Sequence, residues 1–292
     1  MTRGSQPMEW WQAIVLGMVQ GLTEFLPISS SGHLIIFPWL FDWETPGLSF
    51  DAFLHLGTLA AVVAYFLKDI TAMIRAIPVA LRDPVGILKG EGEEPGHTDA
   101  RLGLLIAVAT VPGLIAGLLL ESSIEELFHT EENSNTAIAT IATMLIVVGI
   151  VMWIAERVGQ RDHAIPRMRW LDALIIGCAQ ALALIPGTSR SGATITAGLF
   201  RGLNRADAAR FSFLVGMPLI LGAGSLSVID VIREGADGGN LLVYALGGIS
   251  AALVGFVTIW GLLQFLQRRS TLVFTIYRLL FGIFLFIMLA LR

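Results

Sequence analysis

Apolar residues run along most of this chain in long stretches parted by short polar segments, and two of those stretches are broken in mid-course. Residues 10–40 form the first broken run, interrupted by Pro27, Ser29, Ser30, Ser31 and Gly32. Residues 171–200 form the second, interrupted by Pro186, Gly187, Thr188, Ser189, Arg190, Ser191 and Gly192. Continuous apolar stretches at about 50–67, 101–120, 137–155, 211–230, 241–266 and 272–291 are long enough to cross roughly 30 Å of hydrocarbon as helices. In lipid the backbone must satisfy its own hydrogen bonds, so a run broken by proline and polar residues reads as a helical hairpin that enters and leaves on one side. The pattern predicts an all-α polytopic membrane protein with six transmembrane helices plus two re-entrant helical hairpins, 11–40 and 171–200. Residues 70–100 read as a loop with an interfacial helix, and 121–132 as an acidic loop.

Composition agrees with this pattern. The chain is 55% hydrophobic and 14% charged, with a mean hydropathy of +0.74, against about 25% charged in soluble domains. A net charge of -4 is too small to imply a polyanionic partner, and no basic run points to nucleic acid. One cysteine, Cys178, excludes an internal disulfide and a thiolate metal cluster, and it is expected as a small core residue. The first residues lack the charged, apolar and small-residue sequence of a removable signal peptide.

Lysine and arginine placement sets the orientation. Segments 68–101, 156–169, 201–210 and 267–270 carry 14 of the 19 basic residues, which sends them to the cytoplasm. Hairpin 171–200 then opens on the cytoplasmic side, hairpin 11–40 on the outer side, and both termini lie outside. A shift of 160 residues superposes Ala13, Gly17, Gln20, Leu22, Ser29, Ser31, Gly32 and Ile35 on Ala173, Gly177, Gln180, Leu182, Ser189, Ser191, Gly192 and Ile195. Phe53 and Leu54 fall likewise on Phe213 and Leu214. The single membrane domain, 1–292, is therefore expected to be an inverted-topology repeat, with a first half at 10–155 and a second at 171–292. Such repeats place their working site near the midplane, where broken helices meet.

Ionisable groups in these runs point to that site, because charge in lipid is expensive unless it functions. Ser29, Ser30, Ser31 and Gly32 stand at the start of one half-helix, and Thr188, Ser189, Ser191 and Gly192 at the start of the other. Helix N-termini offer unpaired N–H groups and a positive dipole end, which suits phosphate. Arg190 adds a bidentate fork for phosphate oxygens and itself requires an anion, either Glu24 or a bound phosphate. Glu24 lies one helical turn after Gln20 and can hold a divalent cation that bridges diphosphate oxygens. Ser30 and His33, three apart, can face one another as nucleophile and base, or as a pair acting on attacking water. Asp51 and His55 read as residues near the outer interface, and Arg278 as a residue that snorkels or meets a loop carbonyl rather than one that catalyses. Small residues at Gly247, Gly248 and Ala251 suit close packing within the chain or in a homodimer.

The segments GLTEFLPISSSGH, from Gly21 to His33, and PGTSRSGAT, from Pro186 to Thr194, resemble the two signature segments of the integral-membrane undecaprenyl-pyrophosphate phosphatase family linked to bacitracin resistance. The similarity extends to 50–59, to Phe211-Ser-Phe-Leu and to Ile276-Tyr277-Arg278, nearly the whole chain. The resemblance implies hydrolysis of undecaprenyl diphosphate to undecaprenyl phosphate for peptidoglycan synthesis, in the bacterial inner membrane, with Mg²⁺ or Ca²⁺ and a site open to the periplasmic face. By position it makes Glu24 a catalytic carboxylate and metal ligand, Ser30 and His33 the catalytic serine and histidine, and Arg190 the phosphate-binding arginine. Gln20 stands where the family's paired-glutamate pattern has its first carboxylate, so it is read as a neutral ligand or hydrogen-bond partner. The rival reading is a transporter or flippase for a phosphorylated lipid, because secondary transporters also build their sites from opposed broken helices.

Overall fold

The computed structural model describes residues 8–43, 47–91, 95–128, 134–234 and 241–291. Among them the chain is helical and forms no strand, apart from an isolated parallel bridge between His163 and Leu203. The first broken run folds as α1 (Trp10–Thr23), a turn at 24–28 and α2 (Ser30–Phe41). Next come α3 (Leu48–Tyr65), the short α4 (Leu67–Arg75), α5 (Ile77–Arg82) and α6 (Pro84–Lys89), and the long α7 (His97–Phe128) and α8 (Ser134–Val158). The second broken run is α9 (Trp170–Ala181), a 3-10 turn (Leu182–Leu184) and α10 (Arg190–Phe200). The chain continues through α11 (Arg205–Glu234), α12 (Leu241–Arg268) and α13 (Leu272–Leu291).

Four stretches among the described residues are long and apolar enough to cross a membrane: His97–Leu120, Asn135–Val158, Leu241–Arg268 and Leu272–Leu291. The pair α3 and α4, bent by 74°, makes a fifth if taken as one broken span. The remaining expected span, 211–230, lies within α11, a 30-residue helix with Pro218 in its interior.

The span expected at about 50–67 ends at Tyr65, and the helix expected in the segment after it begins as α4, whose Asp69 carboxylate pairs with the Arg210 guanidinium of α11. Two boundaries differ from expectation. The acidic segment from 121 onward continues α7 as far as Phe128, since neither glycine nor proline interrupts it there; residues 129–133 lie outside the described ones. Arg205 and Arg210 belong to α11 rather than to a connection, because Asn204 caps that helix by accepting the N–H of Asp207 at 2.9 Å. Cys178, expected in the core, is exposed on α9.

Packing interleaves the two halves of the sequence. Helix α1 lies against α12, α9 against α7, α3 against α11 and α12, and α8 against α13. Close approach requires glycine at matched places: a Cβ at Gly17 would strike the Gly247 carbonyl of α12, and one at Gly177 the Ala109 carbonyl of α7. Gly57 meets Gly248 in the same way, and Ser250 Oγ donates to the Ile14 carbonyl at 3.0 Å. The small residues of α12 are thus used inside the chain, against α1 and α3. Around the turns the core closes with Phe25 edge-on to Phe213, their centroids 5.3 Å apart.

Candidate active site

Both turns end in the same strained backbone. Ser29 has φ 79° and Ser189 φ 71°, in the left-handed region that non-glycine residues rarely enter. In each turn the serine oxygen caps the following helix: Ser29 Oγ accepts the Gly32 N–H at 3.3 Å, and Ser189 Oγ the Gly192 N–H at 3.1 Å. The hydroxyls of Ser31 and Ser191 stand 3.5 and 3.2 Å from those of Ser29 and Ser189. The capping serines are buried, so they shape the turns while the first N–H groups of α2 and α10 are left without intrahelical acceptors.

The turns are fastened together. Ser191 Oγ donates to the Leu26 carbonyl of the first turn at 3.1 Å. Arg278, fully buried on α13, donates to five carbonyls: Pro27 at 3.0 Å, Gly187 at 2.9 Å, Thr188 at 3.0 Å, Met144 at 3.1 Å and Leu145 at 3.1 Å. Among the described residues no carboxylate pairs with it. The guanidinium therefore fixes both turns to α8, and its full charge faces carbonyl dipoles only.

On the other side of the turns lies the acid. Glu24, 6% exposed, receives Arg190 Nη2 on Oε1 at 2.5 Å and the Ser30 hydroxyl on Oε2 at 2.5 Å. Gln20 Nε2 donates to the same Oε2 at 3.3 Å, and His55 Nε2 stands 3.8 Å from it. Arg190 Nη1 is anchored by the Gly216 carbonyl at 2.8 Å, so the guanidinium is fixed from behind. Glu24, Ser30, His55 and Arg190 line a cavity of about 280 Å³ together with Ser31 and Ser189. The rest of its lining is mostly apolar: Ala52 of α3, Gly113 of α7, Ala181 at the end of α9, Ala183 and Leu184 of the 3-10 turn, and Leu219 and Ile220 of α11.

Glu24, Ser30, Ser31, Ser189 and Arg190 thus meet at the cavity as expected. Ser29, Gly32, Thr188, Ser191 and Gly192 build the turns behind it; Thr188 lends its carbonyl to Arg278, and its own hydroxyl is buried without a partner. His33 does not face Ser30. Its Nδ1 donates to the Ser29 carbonyl at 2.6 Å, its Nε2 pairs with the Tyr277 hydroxyl at 2.6 Å, and its ring stacks on Phe281 at 5.0 Å. The expected Ser30–His33 pair is replaced by Ser30–Glu24, because the carbonyl one turn back and a tyrosine from α13 occupy both ring nitrogens.

Two further residues line the cavity. His55, read from sequence as a residue near the outer interface that helps admit the head group or sits at the water boundary, stands beside Glu24, a contact that nothing local in the sequence links to α3. Gln180 was detectable as the repeat partner of Gln20; it lines the cavity, and the Oε1 atoms of both glutamines are buried without a hydrogen-bond partner.

Comparison with known proteins follows this geometry. The sequence model of the family described as bacitracin resistance protein BacA matches residues 13–284. Undecaprenyl-diphosphatase of Thermomicrobium roseum is 46% identical over 278 residues, covering 95% of this chain and 97% of that protein. The undecaprenyl-diphosphatases of Moorella thermoacetica and Chlorobaculum parvum are 45% and 44% identical, covering 92% and 96% of this chain and 94% and 97% of their own lengths.

Proposed function

The chain belongs to the BacA family, and from that premise we propose that it hydrolyses undecaprenyl diphosphate to undecaprenyl phosphate and inorganic phosphate. It thereby recycles the lipid carrier for peptidoglycan synthesis and confers resistance to bacitracin. The single observation that carries the chemistry is the chain Ser30–Glu24–Arg190, held by two contacts of 2.5 Å across the two turns.

In the free enzyme Glu24 occupies the anion position on Arg190. The terminal phosphate of the substrate takes that place on the guanidinium, helped by the first N–H groups of α2 and α10. Glu24, released from its ion pair, takes the Ser30 proton. Ser30 Oγ attacks the terminal phosphorus, the anhydride P–O bond breaks, and undecaprenyl phosphate leaves. Water then attacks the phosphoserine, inorganic phosphate departs, and the proton returns to Ser30. Arg190 and the helix N-termini stabilise charge on the transferred phosphoryl group, the main source of catalysis in such reactions. His33 acts through position, holding the Ser29 carbonyl and so the start of α2.

A divalent cation, Mg²⁺ or Ca²⁺, fits this donor set only together with substrate. Among the described residues no three His, Cys, Asp or Glu side chains cluster closely enough to hold a metal. Glu24, the orphaned Gln20 Oε1 and the diphosphate oxygens together match the preference of hard cations for carboxylate and phosphate oxygen. When bound, the cation neutralises charge on the diphosphate.

The inverted repeat, 10–155 against 171–292, is supported by the paired features of Gly17 with Gly177 and Ser29 with Ser189. With six spans and two re-entrant hairpins, the cavity opens to the periplasmic side of the inner membrane. The prenyl tail leaves along its apolar lining, between α7 and α11, toward exposed Leu114 and Leu221. Purified protein assayed for phosphate release from undecaprenyl diphosphate tests the activity. Acid-quench trapping of phosphoserine, absent in Ser30→Ala, tests the step. Translocation of lipid without phosphate release, even with Mg²⁺ or Ca²⁺, would establish the transporter instead.

A further inference from the structure

Away from the Glu24 site a second cavity, of about 430 Å³, is lined by Arg161, Asn204, Arg205, Ala206, Leu266 and Gln267. Its back wall is an ion network. Glu156, buried on α8, accepts Arg161 Nη1 at 2.8 Å, Arg205 Nε at 2.8 Å, Arg205 Nη2, and the Thr271 hydroxyl at 2.8 Å. The two guanidiniums of the lining share one carboxylate, while the neighbouring Asp207 carboxylate is held by Asn204 Nδ2 at 2.7 Å. Among the described residues Arg161 Nε and Nη2 and Arg205 Nη1 make no other hydrogen bond, which leaves donors for a second anion.

The position of the cavity narrows the choice of anion. Helix α8 ends at Val158 and α12 at Arg268, so the cavity lies where two spans leave the hydrocarbon, at the end rich in arginine. Ala206 and Leu266 of its lining give it an apolar border. Free phosphate would gain nothing from that border. A choline or ethanolamine headgroup would bring a cation beside two arginines. We propose that this cavity binds the phosphate headgroup of an anionic membrane phospholipid, with Arg161 and Arg205 donating to the phosphodiester oxygens and the acyl chains passing the apolar border into the membrane.

The test is lipid retention by the full chain, counted by native mass spectrometry during titration with phosphatidylglycerol or phosphatidylcholine. Wild type should bind phosphatidylglycerol more tightly. Arg161→Gln, which leaves Glu156 paired with Arg205 and Thr271, should weaken that binding about fivefold and leave phosphatidylcholine unaffected. Gln267→Glu, which places a repelling carboxylate at the rim without touching the network, should do the same. Phosphate release from the prenyl diphosphate in detergent should be unchanged in both variants. Equal retention of the two lipids by wild type, or undiminished phosphatidylglycerol retention in both variants, would overturn the assignment. Complete displacement by excess inorganic phosphate would also overturn it, in favour of a free-phosphate site.

Discussion

Glu24 balances a cation on one oxygen and a serine hydroxyl on the other, and the cation is held from behind by the Gly216 carbonyl. Arg190→Lys would keep the charge but lose the fork that reaches Gly216 and Glu24 together. Phosphate release should fall by about 10²–10³, most of it in kcat, as for removal of a fixed transition-state donor. Tyr277→Phe removes the partner of a buried His33 nitrogen, which costs about 1–3 kcal/mol of stability. Thermal unfolding in detergent should show this loss, while Ser30 phosphorylation persists at a reduced rate. The sequence showed which residue types gather here but not how they pair. Residues three apart on a helix do share a face, which made Ser30 and His33 partners on paper. The tyrosine that claims His33 comes from 244 positions away, a distance no local pattern reports.

At the scale of the element, the two hairpins were legible because proline, glycine and consecutive hydroxyls interrupt otherwise unbroken apolar runs. Their strained serine caps were not, since nothing in a serine codon announces a left-handed backbone. The end of α7 was misjudged because charge was read as the end of a helix, whereas glutamate is a good helix former once past the hydrocarbon. The paired glycines give a direct check on the repeat. Gly17→Val and Gly177→Val each push a side chain into the backbone of a facing helix, an overpacking worth about 1–3 kcal/mol. Both should lower the unfolding temperature by similar amounts; a large fall in one and none in the other would tell against equivalent halves.

For the whole molecule, interleaving places one hairpin's helix against the other half's span, so the cavity is walled by α3, α7, α9 and α11 at once. Composition and basic-residue placement made the membrane class readable, but the partner of each helix emerges only from packing. Gly113 belongs to the apolar lining: a Cβ there would meet Leu219 Cδ1 at 2.7 Å and push that side chain toward the cavity it lines. Gly113→Leu should reduce hydrolysis of undecaprenyl diphosphate at least about tenfold and spare a short-chain prenyl diphosphate, a contrast read from kcat/KM for the two substrates. Equal losses on both would remove the tail from that passage.

Arg278 has a further consequence, for how the protein is made. The guanidinium that ties both turns sits on α13, which is synthesised after both of them, so the two turns must wait in the membrane unfastened until it arrives. A nascent chain that has already inserted both hairpins therefore still lacks the clamp between them until α13 packs against α8.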